Sequence, residues 1–312
     1  MKKLITLLAL FYTLALSAQE YGVVNISVCN MRDTPRYSAE MVSQALLGTP
    51  VRILEWGGEY NWPNVQTPDT YTGWVHKDAI TPMSKEQLHQ WNSAPKAVVT
   101  ALSGLVHEKA SAKSAIISDV VAGDRLKLLG KNCGWLKVEF PDGRTGYISG
   151  SQAASENSWR KGLNNSPEAI LSTALSMNGF PYLWAGMSPK GMDCSGFVRT
   201  VFFMHDIIIP RDAGPQSQVG ERIGKMEDLQ PADLVFFGRI ADDGPHVSHV
   251  GFYLGGGRFI HSLGLVKIGS FNADDPLYDA YNTGRYLFGT RLLPIKEQDG
   301  ISTTLSNNLY QL

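Results

Sequence analysis

Hydrophobic residues are spaced as in β-strands through the first half of the chain. Residues 48–80 and 123–153 both alternate short runs of β-branched and aromatic residues with turns rich in glycine, proline and aspartate. The two segments align at Gly48 and Gly123, Trp62 and Trp135, Pro68-Asp69 and Pro141-Asp142, and Gly73-Trp74-Val75 and Gly146-Tyr147-Ile148. They are therefore two copies of one unit. The pattern predicts two small all-β barrels, each of about five strands.

A short segment with helical signals joins the two copies. Ser84 and Gln87 have the spacing of a capping box, in which two side chains satisfy free backbone N–H groups at the start of a helix. Pro82 and Pro95 bound the segment, as expected for a residue that does not continue a helix. The sequence therefore predicts a linking helix between the barrels.

After about residue 160 the hydrophobic spacing becomes helical. Ser166 and Pro167 are typical of a helix start and Gly179 of a helix end. The apolar positions that share one face of this helix are Ile170, Leu171, Ala174 and Leu175. A second helix is predicted to begin at Cys194, with apolar positions at Phe197, Val198, Val201 and Phe202. Strand-like runs follow at 233–237, 249–255, 258–263 and 286–293, so the second half is predicted to be an α+β domain with an antiparallel sheet.

The N-terminus has the pattern of a secretory signal peptide. Two lysines precede an apolar run of about fifteen residues and then small residues. That run is shorter than the roughly 20 residues that a membrane span requires. We expect an exported protein, periplasmic or extracellular, with no membrane span once the signal is removed. The predicted division is a signal peptide over 1–18, a first barrel over 19–81, a linker helix over 82–95, a second barrel over 96–155 and the α+β domain over 156–312.

Composition limits the partners. Basic and acidic side chains number 28 and 29, for a net charge of −1, so no excess field attracts nucleic acid and no nucleic-acid partner is expected. Among the three cysteines, Cys29 and Cys133 either form a disulfide or remain unpaired, because connectivity cannot be read from sequence. Cys194 is left over in both cases and needs another role.

Cys194 has the surroundings of a nucleophile. A thiol attacks a carbonyl as thiolate, and a helix start and a nearby histidine both lower its ordinary pKa of about 8.5. His249 and His261 flank the glycine run 255–257. A three-residue turn there pairs residues whose numbers sum to about 512, which places both rings on one face as diagonal neighbours. We expect this face to meet the helix of Cys194, with His249 as the base and His261 as the group that orients it.

Three segments together resemble the successive motifs of the NlpC peptidase family, papain-like cysteine peptidases of bacterial cell walls. They are "PYLWAGMSPKGMDCSGFV", "LQPADLVFFG" and "VSHVGFYLGGGRFIHS", and the similarity runs from about residue 165 to 294. The two β units resemble bacterial SH3-like domains. The resemblance implies a papain-like α+β fold without a cofactor. It also implies a nucleophile at Cys194, a general base at His249, a third polar residue at His261 and an active-site tyrosine at Tyr182.

Three alanines depart from the family pattern. Ala185 and Ala232 stand where the family usually has glycine, and both would crowd a turn. Ala213 follows Arg211-Asp212 where serine is expected in closely related enzymes, so one substrate hydrogen bond is expected to be missing.

The resemblance implies hydrolysis of the amide between γ-D-glutamate and a diamino acid in peptidoglycan stem peptides. Two SH3-like modules before the peptidase are similar to enzymes that take free peptides with an N-terminal L-alanine and release L-Ala-γ-D-Glu. The implied substrate-binding residues are Asp193, Ser195, Glu40 and Tyr71. Asp193 and Glu40 would pair with the peptide ammonium, because an unpaired ammonium in a partly dry pocket costs several kcal/mol.

Other interpretations remain open. They are an endopeptidase on intact peptidoglycan, a non-catalytic wall-binding protein, and a hydrolase or transferase acting on a lipid or small acyl substrate. His246 and His249 have the H-x-x-H spacing of half a metal site. The chain has no "HExxH" motif, and His246 is expected in a loop, so no metal is predicted.

Overall fold

The computed structural model describes residues 20–296 and 300–312. The predicted signal peptide over 1–18 lies outside these residues. The described chain forms two seven-stranded sheets and then an α+β region with a six-stranded sheet. No helix within these ranges is long and apolar enough to cross a membrane.

The first sheet surrounds its own hydrophobic core. Its strands are β1 (Tyr21–Val24), β2 (Val28–Arg32), β3 (Met41–Leu46), β4 (Pro50–Gly57), β5 (Trp62–Gln66), β6 (Thr72–Trp74) and β7 (Ile80–Met83), in the order β3-β2-β6-β5-β4-β1-β7. Helix α1 (Lys85–Ser93) follows. Ser84 and Gln87 form the predicted capping box, with the Ser84 hydroxyl accepting from the Gln87 N–H and the Gln87 side chain accepting from the Ser84 N–H.

The second sheet repeats the first. Its strands are β8 (Lys96–Val99), β9 (Ser103–His107), β10 (Ile116–Val121), β11 (Arg125–Asn132), β12 (Trp135–Glu139), β13 (Thr145–Ser149) and β14 (Ala153–Ser155). The order β10-β9-β13-β12-β11-β8-β14 matches the first sheet strand for strand, which confirms the internal repeat. The predicted count of about five strands was too low, because several strands have only three or four residues and are too short to show an alternating pattern.

The remaining chain combines helices with an antiparallel sheet. Its elements are α2 (Glu156–Lys161), α3 (Pro167–Ser176), β15 (Met187–Ser188), β16 (Gly191–Met192), α4 (Cys194–Phe203), α5 (Ala213–Gln216), β17 (Glu221–Ile223), β18 (Leu234–Ala241), β19 (Gly244–Gly255), β20 (Arg258–Leu263), β21 (Leu265–Ser270), α6 (Ala280–Thr283), β22 (Tyr286–Arg291) and α7 (Asn308–Gln311). The main sheet has the order β17-β22-β18-β19-β20-β21, with antiparallel neighbours throughout. The α+β prediction is confirmed.

Helices α3 and α4 pack on this sheet. Ser166 caps α3 as predicted, by accepting from the Ala169 N–H. Leu175 was wrongly placed on the buried face, because Met177 completes the apolar stripe and Leu175 is 42% exposed. In α4 the four predicted apolar positions are all buried. The ring of Phe252 in β19 lies 5.8 Å from the ring of Phe197 and 5.3 Å from that of Phe202, so the sheet packs along the length of α4.

The first barrel is fixed against both other parts. The side chain of Gln44 in β3 accepts a hydrogen bond from the Met187 N–H at 2.8 Å. Lys190 Nζ lies 3.0 Å from Ser27 Oγ of the first barrel and 2.5 Å from Asp119 Oδ2 of the second. These contacts place one edge of the first barrel against the β15–β16 hairpin, which immediately precedes α4.

Candidate active site

Cys194 is the first residue of α4, as predicted. The preceding residue, Asp193, caps the helix: its Oδ1 accepts from the Gly196 N–H at 2.6 Å. Cys194 is partly buried, and the Val250 and Ser195 N–H groups stabilise its thiolate. These donors are outweighed, because burial and then the Asp193 charge raise the pKa of the thiol to about 11. The predicted lowering of the thiol pKa is therefore wrong for the resting site.

The two predicted histidines lie together on one face of the sheet. His249 Nε2 and His261 Nδ1 are 2.7 Å apart, and both rings are buried. His261 pairs with Gly251 across the hairpin, which is the predicted register. The turn differs from the prediction, because Gly255 pairs with Arg258 and leaves only two glycines in the loop. A bulge at residue 254 restores the register that a three-residue turn would give.

Both rings are neutral at ordinary pH. Burial, followed by the His261 and Arg285 charges, lowers the pKa of His249 to about 3. Burial also lowers the pKa of His261 to about 4, although the Asp279 carboxylate opposes this. The site thus holds a protonated thiol and a neutral imidazole in its resting state.

A fourth residue stands behind the histidines. His261 Nε2 is buried without a hydrogen bond, and Asp279 Oδ2 lies 3.6 Å away. Asp279 is fixed by capping α6, where it accepts from the N–H and the side-chain amide of Asn282. Asp279 was not predicted, because nothing local in the sequence places it beside His261.

A second bulge shapes the strand that carries His249. Phe237 pairs with His249, whereas the next residue, Gly238, pairs with Val247. Ser248 is therefore the extra residue, and both Ser248 and His249 line the same cavity. In a regular strand the two side chains would point to opposite faces.

One cavity of about 460 Å³ brings the predicted site residues together. Those that line it are Glu40, Tyr71, Tyr182, Asp193, Cys194, Ser195 and His249. His261 is fully buried and lies behind His249, to which it is hydrogen-bonded. Asp212, Ser248 and Arg285 also line the cavity and were not predicted.

The predicted acidic residues differ in how far their charges are compensated. The Asp193 carboxylate is buried and bound by the buried Arg211 guanidinium at 2.7 Å. Glu40 is exposed, and its Oε1 accepts a hydrogen bond from Trp184 Nε1 at 2.8 Å. Asp212 is half-exposed, and burial raises the pKa of its carboxyl although Arg211 opposes this. The uncompensated negative charge therefore lies with Glu40 and Asp212 more than with Asp193.

Tyr182 and Ser195 complete the wall beside the thiol. Burial, followed by the charges of Cys194 and Asp193, raises the pKa of Tyr182 to about 12, so its hydroxyl stays neutral. Ser195 Oγ donates to Asp193 Oδ1 at 3.2 Å and accepts from Arg211 Nη1 at 2.9 Å. Tyr71 reaches the same cavity from the first barrel.

Comparisons with known proteins decide the family. The NlpC/P60 family model matches residues 179–285, the bacterial dipeptidyl-peptidase Sh3 domain model matches 31–80, and the bacterial SH3 domain model matches 103–152. The gamma-D-glutamyl-L-lysine dipeptidyl-peptidase of Bacillus cereus is 31% identical over 229 residues, which are 72% of this chain and 67% of that protein. This chain belongs to the NlpC/P60 family.

A further relative and a solved structure support this family assignment. Dipeptidyl-peptidase 6 of Lysinibacillus sphaericus is 28% identical over 278 residues, which are 82% of this chain and 94% of that protein. The crystal structure of an NlpC/P60 family protein from Bacillus cereus superposes with a TM-score of 0.75 at 26% identity, covering 88% of this chain and 100% of that one. The predicted family, the two SH3-like domains and the assignment as a cysteine-type peptidase are confirmed.

Two of the departures from the NlpC/P60 pattern carry backbone strain. Ala185 and Ala232 have φ angles of 59° and 72°, in the left-handed region that glycine adopts freely. An alanine there costs about 1 kcal/mol. Ala213 lines the cavity beside Asp212, where a serine hydroxyl would face the substrate.

The described residues give no support to a metal site at His246 and His249 or to a disulfide between Cys29 and Cys133. His246 lies in β19 rather than in a loop, and its ring faces Asp243 at 2.6 Å. No group of three or more potential metal ligands occurs in residues 20–296 and 300–312. Cys29 is buried, Cys133 is exposed, and both are free thiols.

Proposed function

We propose that this protein hydrolyses the bond between γ-D-glutamate and the diamino acid of peptidoglycan stem peptides. Its substrates are free peptides with an N-terminal L-alanine, and the released product is L-Ala-γ-D-Glu. The relatives named for dipeptidyl-peptidase activity support this proposal. One observation carries it further: Glu40 and Tyr71 of the first barrel line the same cavity as Cys194.

Cys194 acts as the nucleophile and His249 as its base. Since Nε2 of His249 faces His261, Nδ1 of His249 is the nitrogen left for the thiol proton. His249 Nε2 then donates to His261 Nδ1, and His261 Nε2 carries a proton that faces Asp279. The contacts from His249 through His261 to Asp279 fix the tautomer in which Nδ1 of His249 can accept a proton.

The reaction proceeds through a thioester. The Cys194 thiol passes its proton to His249 as sulfur attacks the glutamyl carbonyl carbon. The C–N bond breaks, the diamino acid nitrogen takes the proton from His249, and the L-Ala-γ-D-glutamyl group remains on sulfur. Water then gives a proton to His249 as its oxygen attacks the thioester carbonyl carbon. The C–S bond breaks, His249 returns the proton to sulfur, and L-Ala-γ-D-Glu leaves with a free carboxylate.

The start of α4 stabilises the oxyanion. The Cys194 N–H has no hydrogen-bond partner among the described residues. It lies in the first turn of α4, where free N–H groups favour negative charge. This donor is the expected partner of the carbonyl oxygen as it becomes negative.

The first barrel selects the peptide N-terminus. Glu40 and Asp212 are carboxylates on the wall of the cavity, and Asp193 lies beside them. A peptide ammonium enclosed there gains charged partners, whereas an acylated N-terminus leaves carboxylates without one. Peptides still joined to glycan through this nitrogen are therefore expected to be poor substrates.

This function also requires the protein to meet its substrate outside the cytoplasm. We propose that residues 1–18 act as a signal peptide and are removed on export to the periplasm or the cell exterior. The five-part division of the chain given above is retained in this proposal.

The test uses a free L-Ala-γ-D-Glu-diamino acid tripeptide and its N-acetyl form. Wild-type protein should release L-Ala-γ-D-Glu, and Cys194→Ala should lose nearly all turnover. Acetylation should raise KM at least tenfold, because it removes the ammonium charge. Turnover and product identity are measured by chromatography.

The control variant is Cys133→Ala, which removes an exposed thiol outside the cavity and should keep full activity. If Cys194→Ala kept the wild-type turnover, Cys194 would not be the nucleophile. Equal rates on free peptide, acetylated peptide and intact sacculi would instead favour a wall-remodelling endopeptidase.

A further inference from the structure

Arg285 lies on the wall of the catalytic cavity and forms no ion pair with an acidic side chain within residues 20–296 and 300–312. Among the described residues, its side chain donates to Ser248 Oγ at 2.6 Å and its guanidinium lies 4.7 Å from the Tyr281 ring. Two other arginines near the site are already paired, since Arg211 binds Asp193 and Arg199 binds Asp69. Arg285 thus keeps most of its five N–H donors for a ligand.

The position of Arg285 is set by the sheet. Its backbone carbonyl accepts from the Gly238 N–H at 2.8 Å, next to the bulge at Ser248. The same bulge turns Ser248 and His249 toward the cavity, so Arg285 stands directly beside the proposed base. Two of the acidic residues lie close to Tyr71: burial raises the pKa of this tyrosine, and the charges of Asp212 and Asp193 add to the increase.

The chemistry assigns Arg285 and these acidic residues to opposite ends of the substrate. A base that takes the thiol proton must return it to the leaving amine, so the leaving residue lies on the His249 side of the thiol. Arg285 and Ser248 lie on that side. A guanidinium presents parallel donors that match a carboxylate.

We propose that Arg285 binds a carboxylate carried by the leaving diamino acid. This inference rests on the proposed function, and it deepens it by naming a feature of the substrate. Two carboxylates have the required chemistry: the C-terminal carboxylate of a tripeptide, and the second carboxylate of a diamino dicarboxylic side chain. A lysine side chain offers only an ammonium group at that place.

The experiment compares four peptides that begin with L-Ala-γ-D-Glu. Two end in L-lysine, as the free acid and as the C-terminal amide. Two end in a diamino dicarboxylic acid, with either the C-terminal or the side-chain carboxylate amidated. The KM and kcat of each are measured with wild-type protein and with Arg285→Gln and Arg285→Lys.

For the peptide whose carboxylate is bound, Arg285→Gln should raise KM on the order of tenfold while kcat changes little. Arg285→Lys should recover part of the loss, because the charge returns without the fork of donors. For the corresponding amide, Arg285→Gln should have almost no effect. Which amide loses affinity in the wild type identifies which carboxylate is bound.

The control is Arg239→Gln, an exposed arginine on β18 that does not line the cavity. It should leave KM unchanged for all four peptides. Equal kcat/KM for acids and amides in the wild type would overturn the role of Arg285 and leave the proposed function standing. A wild-type protein that cleaves none of the four peptides would overturn both.

Discussion

Burial acts in opposite directions on the proposed nucleophile and the proposed base. It raises the pKa of the Cys194 thiol to about 11 and lowers the pKa of the His249 imidazole to about 3. A charged pair is therefore unfavourable in the resting site, and in the proposed mechanism the proton moves as the carbon–sulfur bond forms. The neutral pair avoids two buried charges in the resting enzyme.

The pH dependence of alkylation tests the resting charge. With iodoacetamide, the rate at Cys194 should rise about tenfold per pH unit between pH 6 and 10, because the thiolate fraction grows until pH reaches the pKa. The measurement uses a Cys133→Ser background, since Cys133 is the exposed thiol. Burial raises the pKa of Cys29 to about 12, so it should react slowly. A rate that is flat above pH 7 would show a thiolate formed in advance.

Positions that depend on a local motif could be predicted from sequence. Cys194 at a helix start and His249 and His261 on a hairpin were all placed correctly, because each depends on nearby sequence. The thiol pKa was wrong, since its burial depends on packing between distant segments. Asp279 and Arg285 were missed for the same reason: only the folded chain brings Asp279 to His261 and Arg285 to Ser248.

At the scale of elements, the β-bulge at Ser248 on β19 connects backbone geometry to the site. Gly238 on β18 faces this bulge, and a Cβ there would lie 1.9 Å from the carbonyl oxygen of His246. No side chain fits without moving the strand that continues into Ser248 and His249. The glycine is thus required by close approach of two backbones, not by an unusual φ.

Gly238→Ala should displace this strand and damage both stability and catalysis. We expect a loss of about 1–3 kcal/mol in unfolding free energy, as for overpacked sites. The kcat should fall at least tenfold, because His249 moves relative to the thiol. Thermal unfolding and peptide turnover measure the two effects. Gly224→Ala is the matched control, since a Cβ there meets nothing within 4 Å; equal behaviour of the two variants would contradict the role of the bulge.

The internal repeat and the register of one hairpin could be predicted from sequence, whereas the turn of that hairpin could not. The repeat predicted two equivalent β units, because their turns fall at matching positions. The register of the β19–β20 hairpin was also correct, although the turn was not. A two-residue turn with one bulged residue and a three-residue turn give the same pairing, so hydrophobic alternation cannot distinguish them.

At the scale of the whole molecule, the C-terminal segment (300–312) joins the first barrel, α1 and the peptidase domain. The Asn307 side chain donates to the Pro68 carbonyl of the first barrel at 2.8 Å. The Asn92 side chain at the end of α1 donates to the Leu309 carbonyl at 2.9 Å, and the Thr304 N–H donates to Asp206 Oδ1 at 3.1 Å. This polar segment carried no signal in sequence, because every one of these partners is distant along the chain.

The first-barrel loop between β5 and β6, which contains Pro68 and is held by this segment, leads to the cavity. Asp69 Oδ2 lies 2.9 Å from Arg199 Nε of α4, and both side chains are buried. Tyr71, two residues further, lines the cavity. Because the loop is tied to α4 on one side and to Asn307 on the other, the position of Tyr71 depends on contacts outside its own domain.

Asn307→Ala should therefore weaken substrate binding without changing the chemical step. The lost hydrogen bond to the buried Pro68 carbonyl corresponds to about 1 kcal/mol, or about fivefold in KM for the free tripeptide. The variant also removes the hydrogen bond to Ser302 Oγ and the cap on α7, neither of which holds the loop. The kcat should stay constant, since Cys194 and His249 do not touch this loop. Asn308→Ala is the control, because Asn308 is exposed and its side chain makes no hydrogen bond within the described residues. If both variants keep the wild-type KM, Tyr71 is positioned by the Asp69–Arg199 pair alone. A fall in kcat at constant KM would instead mean that the C-terminal segment supports the catalytic residues rather than the binding wall.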